Sequence, residues 1–181
     1  MKKCKHCKTP FEPLRPLQVV CSLYCAVSIK MTKEVSKLRK ERLNDLQGKG
    51  YYIKILQILV NKIVRELDKD KPCISCGTTK AKQWDASHFY PISTHGSIRF
   101  NLYNIYKSCS YCNKELGGNL YEYSKRLKEI NRLEIIEEHK AKYNGIKFTI
   151  PELKEAITAA KSALKNLTDR ETINKQLNLY K

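Results

Sequence analysis

The sequence predicts an α+β fold, and three features carry that prediction. Apolar residues recur at helical spacing on either side of the chain's middle, an aromatic and β-branched stretch fills the middle, and eight cysteines fall into four close pairs. With 181 residues, 41% of them hydrophobic, the chain can form one modest domain plus appendages but not two large ones. Seven glycines and six prolines exclude collagen-like and Gly/Pro-rich repeats.

The cysteine pairs are Cys4/Cys7, Cys21/Cys25, Cys73/Cys76 and Cys109/Cys112. Each has the spacing of a zinc knuckle, and two knuckles complete a tetrahedral thiolate site of the closed, structural kind. The natural grouping is Cys4, Cys7, Cys21 and Cys25 in one site and Cys73, Cys76, Cys109 and Cys112 in the other, which implies two structural Zn²⁺ ions. A disulfide framework is the alternative. It is disfavoured because the basic N-terminus lacks the apolar run of a secretory signal, which points to a reducing cytoplasm. His6, inside the first knuckle, reads as a bystander.

Residues 1–30 thus form an N-terminal zinc module, with Phe11 and Val19-Val20 as its mini-core and Pro10, Pro13 and Pro16 at its turns. It is too small to fold without metal. Residues 31–70 supply a basic helix, ending near Gly48/Gly50, and then an amphipathic one. Ile55/Leu56, Leu59/Val60, Ile63/Val64 and Leu67 mark the apolar face of the second. Residues 71–130 hold the central core. Its β-leaning part lies between Cys76 and Cys109, and Leu116, Leu120, Tyr123, Leu127 and Ile130 return to helical spacing after an interruption at Gly117-Gly118. Residues 131–181 form a C-terminal helical region. Thr149-Ile150-Pro151-Glu152 is a capping-box start, Asp169 can cap a last helix, and His139, among charged neighbours, is expected to face solvent.

Charge narrows the partner. Thirty-five Lys and Arg against eighteen Asp and Glu give +17, which calls for a polyanion. Nucleic acid is favoured, since neutralising phosphates releases counterions. An anionic membrane surface is the alternative, but no basic amphipathic segment has a clean aromatic face. No run approaches the ~20 apolar residues of a membrane span. The first 45 residues carry eleven basic and four acidic side chains. Lys33, Lys37, Arg39, Lys40 and Arg42, clustered on the basic helix, are therefore assigned to phosphate contact.

The chemistry is concentrated in Trp84-Asp85-Ala86-Ser87-His88-Phe89-Tyr90-Pro91 and Asn104-Ile105-Tyr106-Lys107-Ser108-Cys109-Ser110-Tyr111-Cys112-Asn113. This resembles the HNH, or ββα-metal, nuclease motif, in the endonuclease VII-like variant with four zinc cysteines and an Asn after the last. A broader resemblance spans roughly residues 1–140. The N-terminal knuckles, the basic helix, Asp70-Lys71-Pro72-Cys73-Ile74-Ser75-Cys76-Gly77, Gln83-Trp84, His88-Phe89-Tyr90, Arg99-Phe100-Asn101 and Gly118-Asn119-Leu120-Tyr121-Glu122-Tyr123 together look like the NinG/Rap family of lambdoid phage recombination proteins.

That resemblance implies a zinc-stabilised ββα-metal (HNH) core flanked by helices, and a structure-specific endonuclease cleaving branched DNA such as Holliday junctions and D-loops inside the phage's bacterial host. His88 would be the general base, since an imidazole pKa near ~6.5 suits proton abstraction at neutral pH. One catalytic Mg²⁺ or Mn²⁺ would be held by Asp85 and Asn113, hard oxygen ligands of the kind those ions take. Asn104 would pin the loop between the strands and orient His88. Arg99 would clamp the scissile phosphate, and His95 would contact phosphate or complete the metal shell. Many HNH sites have Asp directly before the base; here Ser87 stands there, and a bulge or turn at Ala86-Ser87 would bring Asp85 in, with Ser87 able to hold a water ligand. Junction symmetry would suit a homodimer. The alternatives are a non-catalytic zinc-finger nucleic-acid-binding protein and an HNH nuclease of restriction or homing type.

Overall fold

The computed structural model describes residues 1–180, apart from the side chains of Asn44 and Asp45. The chain divides into two units, Met1–Gln47 and Gly48–Lys181.

In the first unit a minimal antiparallel ribbon, β1 (Lys2–Lys3) with β2 (Pro10–Phe11), flanks the first knuckle, and helix α1 (Leu23–Asp45) follows from the second. The knuckle closes on itself: Cys4 N–H donates to the Thr9 carbonyl (2.9 Å) and Lys8 N–H to that of Cys4 (3.0 Å). Lys8 takes the left-handed conformation, φ 64°, that this turn requires. The expected mini-core differs from what is seen. Val19 is 55% exposed and Phe11 only half-buried, while Cys4 and Cys25 are buried. The interior of this unit is the cysteine cluster itself. Helix α1 begins at Leu23, earlier than the basic run suggested, because its first turn carries Cys25 into the cluster. Its Lys33, Lys37, Arg39, Lys40 and Arg42 are all exposed.

The second unit is built on α2 (Lys49–Leu67), which buries Tyr52, Leu56, Val60, Ile63 and Val64, as its periodicity predicted. Helix α5 (Ile150–Ala163) lies against it through Leu153, Ile157 and the small Ala156, Ala160 and Ala163, which let the two backbones approach. The capping box that starts α5 is present, with Thr149 and Glu152 bonded reciprocally. An antiparallel hairpin of β3 (Trp84–His88) and β4 (Ile105–Cys109) packs on α2 through Ala86 and Ile105. Its other face meets α3 (Leu120–Glu129), whose buried Tyr123 and Leu127 pack with Tyr106 and Ile74. Helices α4 (Leu133–Lys142) and α6 (Arg170–Gln176) complete the unit, and Asp169 caps α6 as expected.

The β-leaning stretch contributes only these two five-residue strands. Between them the chain folds into two 3-10 turns, Gly96–Ile98 and Leu102–Asn104; Ile98, Leu102 and Tyr103 of these turns and Phe100 between them are buried. The aromatic content there reports burial rather than strand. The C-terminal region holds this loop from behind. Asn174 accepts from Leu102 N–H (2.9 Å) and the Tyr180 hydroxyl from Phe100 N–H (3.1 Å). His139, expected in solvent, is half-buried between the Tyr103 and Tyr143 rings and bonds Asn101 at 2.8 Å. Below it, the Arg170 guanidinium meets buried Asp68 at 2.7 Å and donates to the carbonyls of Leu102 and Ile105.

Candidate functional site

The second cysteine tetrad joins three pieces of chain. Cys73 and Cys76 lie in the turn after α2, Cys109 ends β4, and Cys112 sits in a π-helical turn, Tyr111–Glu115. Their turn repeats the first knuckle: Cys73 N–H donates to Thr78 and Gly77 N–H to Cys73, with Gly77 at φ 72° where Lys8 stands in the first. In each tetrad the four Sγ atoms lie within 4.8 Å of one another. Tetrahedral thiolates ~2.3 Å from a zinc ion would stand ~3.8 Å apart. The separations are 3.5 Å for Cys7–Cys21 and Cys21–Cys25 and 3.8 Å for Cys76–Cys109, and none of the cysteines is in a disulfide. Each tetrad can hold a metal ion, and its donor set is that of structural zinc.

Within each tetrad the thiols differ in acidity. Burial pushes the Cys73 thiol up, yet the Ser108 hydroxyl and the N–H groups of Cys109, Cys76 and Ser75 outweigh it and bring the pKa down to about 6. Cys4 is likewise at about 6, burial being outweighed by the N–H groups of Cys21, Cys7 and His6. Cys7 is lowered as well, chiefly by its hydrogen bond with Thr9, whereas Cys21, hydrogen-bonded to Cys25, Cys7 and Cys4, rises to about 12. Four converging thiolates are tolerable only around a cation.

One residue past the second tetrad, Asn113 meets Asp85. The Asn113 amide donates to Asp85 Oδ2 at 3.1 Å, Gln83 donates to Oδ1 at 2.7 Å, and Lys114 Nζ stands 3.8 Å from Oδ2. Asp85 is 15% exposed at its side chain. A carboxylate and an amide oxygen fit a hard divalent cation, and with so few protein ligands such an ion would keep several waters. The strand carrying Asp85 pairs with β4 in unbroken register from Trp84↔Cys109 to His88↔Ile105, so Ala86-Ser87 forms no bulge. Asp85 and Ser87 share the face toward α3, and His88 lies on the other. Ser87 is buried beneath Gly118, 4.0 Å from where a Cβ would stand there.

His88 is held by one ring nitrogen. Nε2 is 2.9 Å from the backbone carbonyl of Arg99. A carbonyl only accepts, so this nitrogen carries the hydrogen and the other is left with its lone pair. Burial lowers the His88 pKa, and the Arg99 carbonyl partly opposes that. The ring is neutral at neutral pH.

Asn104 ends the second 3-10 turn, at the entry to β4 rather than within it. Fully buried, it accepts from Tyr90 N–H (2.8 Å) and donates to the Tyr90 carbonyl (3.1 Å), and its own carbonyl takes Phe89 N–H. It pins the chain as it leaves His88. Arg99 reaches His88 through its backbone; its guanidinium is turned to Gln57 of α2, Nε to Oε1 at 3.2 Å. His95 bonds Thr94 and lies against the Tyr90 ring, 4.8 Å between centroids. Asn119 takes a left-handed turn at the start of α3 with its amide directed at Cys112 Sγ. Sequence reasoning overlooked Gln57, Gln83 and Lys114. For Lys114 the adjacency to Asn113 was a usable signal; Gln83 entered only as part of the family resemblance, with no role, and nothing local marked Gln57.

The comparisons agree on one family. The sequence model described as "Bacteriophage Lambda NinG protein" matches residues 1–171. Protein ninG of Escherichia phage lambda is 34% identical, over 92% of this chain and 93% of its own. Protein ninG of Escherichia phage 933W is 37% identical at the same coverage, and that of Salmonella phage P22 is 31% identical over 93% of this chain and 94% of its own. No solved structure matches. Among the described residues no helix is long and apolar enough to cross a membrane. With matches running over nearly its whole length, the chain belongs to the NinG family of phage lambda-like proteins.

Proposed function

We propose that the chain is a metal-dependent endonuclease of the HNH type acting on branched DNA, with a structural zinc ion in each tetrad. The observation that carries this reading is the pairing of Asp85 with Asn113 directly beside the second tetrad, while His88 on the same strand keeps a free ring nitrogen.

The strand geometry supports it. The hairpin has two strands, so the outer edge of β3 is unpaired among the described residues. A phosphodiester laid along that edge would have His88 on one side and Asp85 with Asn113 on the other. In-line displacement at phosphorus asks for such a division, with the attacking water and the leaving oxygen on opposite sides. His88 takes the proton from the water through the nitrogen not bonded to Arg99. Asp85 and Asn113 would hold a Mg²⁺ or Mn²⁺ ion, which when bound supplies charge neutralisation on the phosphate and the leaving 3′ oxygen. Lys114 adds positive charge on that side. Arg99 serves as a positioning residue through its carbonyl, and phosphate contact beside Asp85 falls to Lys114; the exposed cations of α1 contribute DNA affinity from their own unit. The 35 basic residues against 18 acidic ones supply the affinity for a polyanion.

The test is cleavage of end-labelled four-way junction, D-loop, duplex and single strand, with Mg²⁺ or Mn²⁺ and with EDTA, alongside His88→Ala. Metal-dependent cuts near the branch, lost in the variant while junction binding persists, are expected. Tight binding without cleavage under any ion would leave a zinc-dependent DNA-binding protein.

A further inference from the structure

Away from these residues, a cavity of about 690 Å³ opens between the end of α2, β4, the end of α3 and the start of α6. None of the proposed catalytic residues lines it. Its volume is in the range that takes a small organic ligand. Its walls carry five cations, Lys71, Lys107, Arg126, Arg132 and Arg170, against two carboxylates, Asp68 and Asp169. Both carboxylates are committed: Asp68 to Arg170, Lys71 and the Lys107 N–H, Asp169 to the N–H and hydroxyl of Thr172. Lys107 and Arg170 are spent on backbone carbonyls. Arg126 has one ion pair, with Glu129 at 2.6 Å. Arg132 has neither a side-chain hydrogen bond nor an ion pair among the described residues; it lies half-buried over the Tyr103 ring, 5.3 Å from its centroid.

Two further features define the ligand. Pro72, Ile74 and Ile130 give the cavity apolar walls. Tyr106, also in its wall, is 4% exposed and its hydroxyl lacks a hydrogen-bond partner, a donor beside the cavity that the protein does not satisfy. An anion alone would leave the apolar wall unused, and an apolar molecule alone would leave Arg132 unpaired. A nucleotide has both parts.

We infer that this cavity receives one unpaired nucleotide of a DNA strand, its phosphate against Arg132, Arg126 and Lys71 and its base against Ile74 and Ile130. The inference rests on DNA being the partner and deepens that reading: a base inside a duplex is covered by its neighbours, so only a strand end or a branch point offers one.

The probes are thymidine 5′-monophosphate, a short 5′-phosphorylated thymidine oligonucleotide and inorganic phosphate, added to the full zinc-loaded chain. Binding is followed by titration and by amide hydrogen exchange at Ile74 and Ile130–Arg132. Protection of those amides by both the nucleotide and the oligonucleotide is expected, with Arg132→Gln weakening each by roughly tenfold or more. Ile130→Glu, which sets a carboxylate at the cavity wall, is expected to weaken both while unfolding at the wild-type temperature. Inorganic phosphate binding as tightly as the nucleotide would reduce the cavity to an anion site and overturn the inference. Protection by the free nucleotide but not the oligonucleotide would also overturn it, in favour of a free metabolite. A four-way junction is the control. If the wild-type chain does not bind it, the DNA reading itself fails; if it binds without protecting Ile74 and Ile130, only the cavity assignment fails.

Discussion

Replacing Asp68 by Asn removes one charge from a buried polar cluster of the second unit and changes almost no volume. Asp68 is 2% exposed and takes hydrogen bonds from Arg170, Lys71 and the Lys107 N–H, which lie on three different segments. Arg170 side-chain exposure is 10%, so in the variant a guanidinium would stay buried without its counter-charge. Breaking a buried pair from one side costs about 3–5 kcal/mol. For a unit of this size that is roughly 10–20 °C in Tm and a third or more of a typical total stability. Urea and thermal unfolding followed by circular dichroism measure it. The acid limb supplies a second reading. Burial pushes the Asp68 carboxyl up, but Arg170 and Lys71 outweigh it and hold it below its ordinary 3.8. A carboxyl depressed in the folded state contributes fully above its unfolded value and loses that contribution as pH falls through the folded one. Wild-type stability should therefore drop below about pH 4 more steeply than that of the variant. A loss under ~1 kcal/mol with an unchanged acid limb would mean that Arg170 is held by its carbonyl contacts and the Asp68 charge is dispensable.

Four more outcomes are expected. Metal analysis should find about two zinc ions per chain, falling to about one in Cys73→Ser. Gly77→Ala should cost ~1–2 kcal/mol from the left-handed backbone alone, because the nearest atom to the new Cβ, Arg126 Nη2, is 3.6 Å away and no clash adds to it; guanidinium denaturation reads this. If the chain cleaves DNA, its pH–rate profile should keep its activity below the ordinary imidazole value of 6.5 and then fall with a single acid limb, since burial holds His88 in its proton-accepting form. Asn104→Ala leaves the half-buried N–H and carbonyl of Tyr90 without their partner, at a cost of about 1 kcal/mol each, and should speed amide exchange at Tyr90 and Phe89.

What could be read in advance followed from local rules. The paired cysteines, the capping box at Thr149, the cap at Asp169 and the helical stripe of α2 are all patterns within a few residues, and local geometry enforces them; of the stripe expected around α3 only Tyr123 and Leu127 are buried. Asp85 and Asn113 were brought together only by the resemblance to the HNH motif, and the bulge expected to carry Asp85 in is absent: the contact is made from a strand in regular register. The remainder depends on partners distant in the chain. Asp68 and Arg170 are 102 residues apart, Phe100 and Tyr180 80, Leu102 and Asn174 72. No spacing rule links such pairs. For the same reason His139, ringed by charge in the sequence, gave no sign of its bond to Asn101. In the first unit the expected apolar mini-core failed because a metal-clustered knuckle buries its thiols and needs few apolar side chains.

The two halves of the proposed site are therefore held by different devices. Asn113 sits directly after a tetrad cysteine, so its approach to Asp85 would depend on a metal ion tying Cys109 and Cys112 to the turn after α2. His88 depends on the Arg99 carbonyl, and that loop is clamped by Asn104 and Gln57 and, from the far end of the chain, by Asn174 and Tyr180. The C-terminal helices thus form the back wall of the loop that holds His88 rather than an appendage. The consequence separates the two devices experimentally. Tyr180→Phe removes one clamp on the His88 loop and leaves the tetrad untouched, so any catalytic loss should come with a moved acid limb and unchanged zinc content. Cys112→Ser should do the reverse, lowering zinc and weakening the dependence on Mg²⁺ before it disturbs the His88 titration. If both substitutions gave the same loss of zinc and the same pH profile, the site would be one cooperative body and the division drawn from these contacts would be wrong.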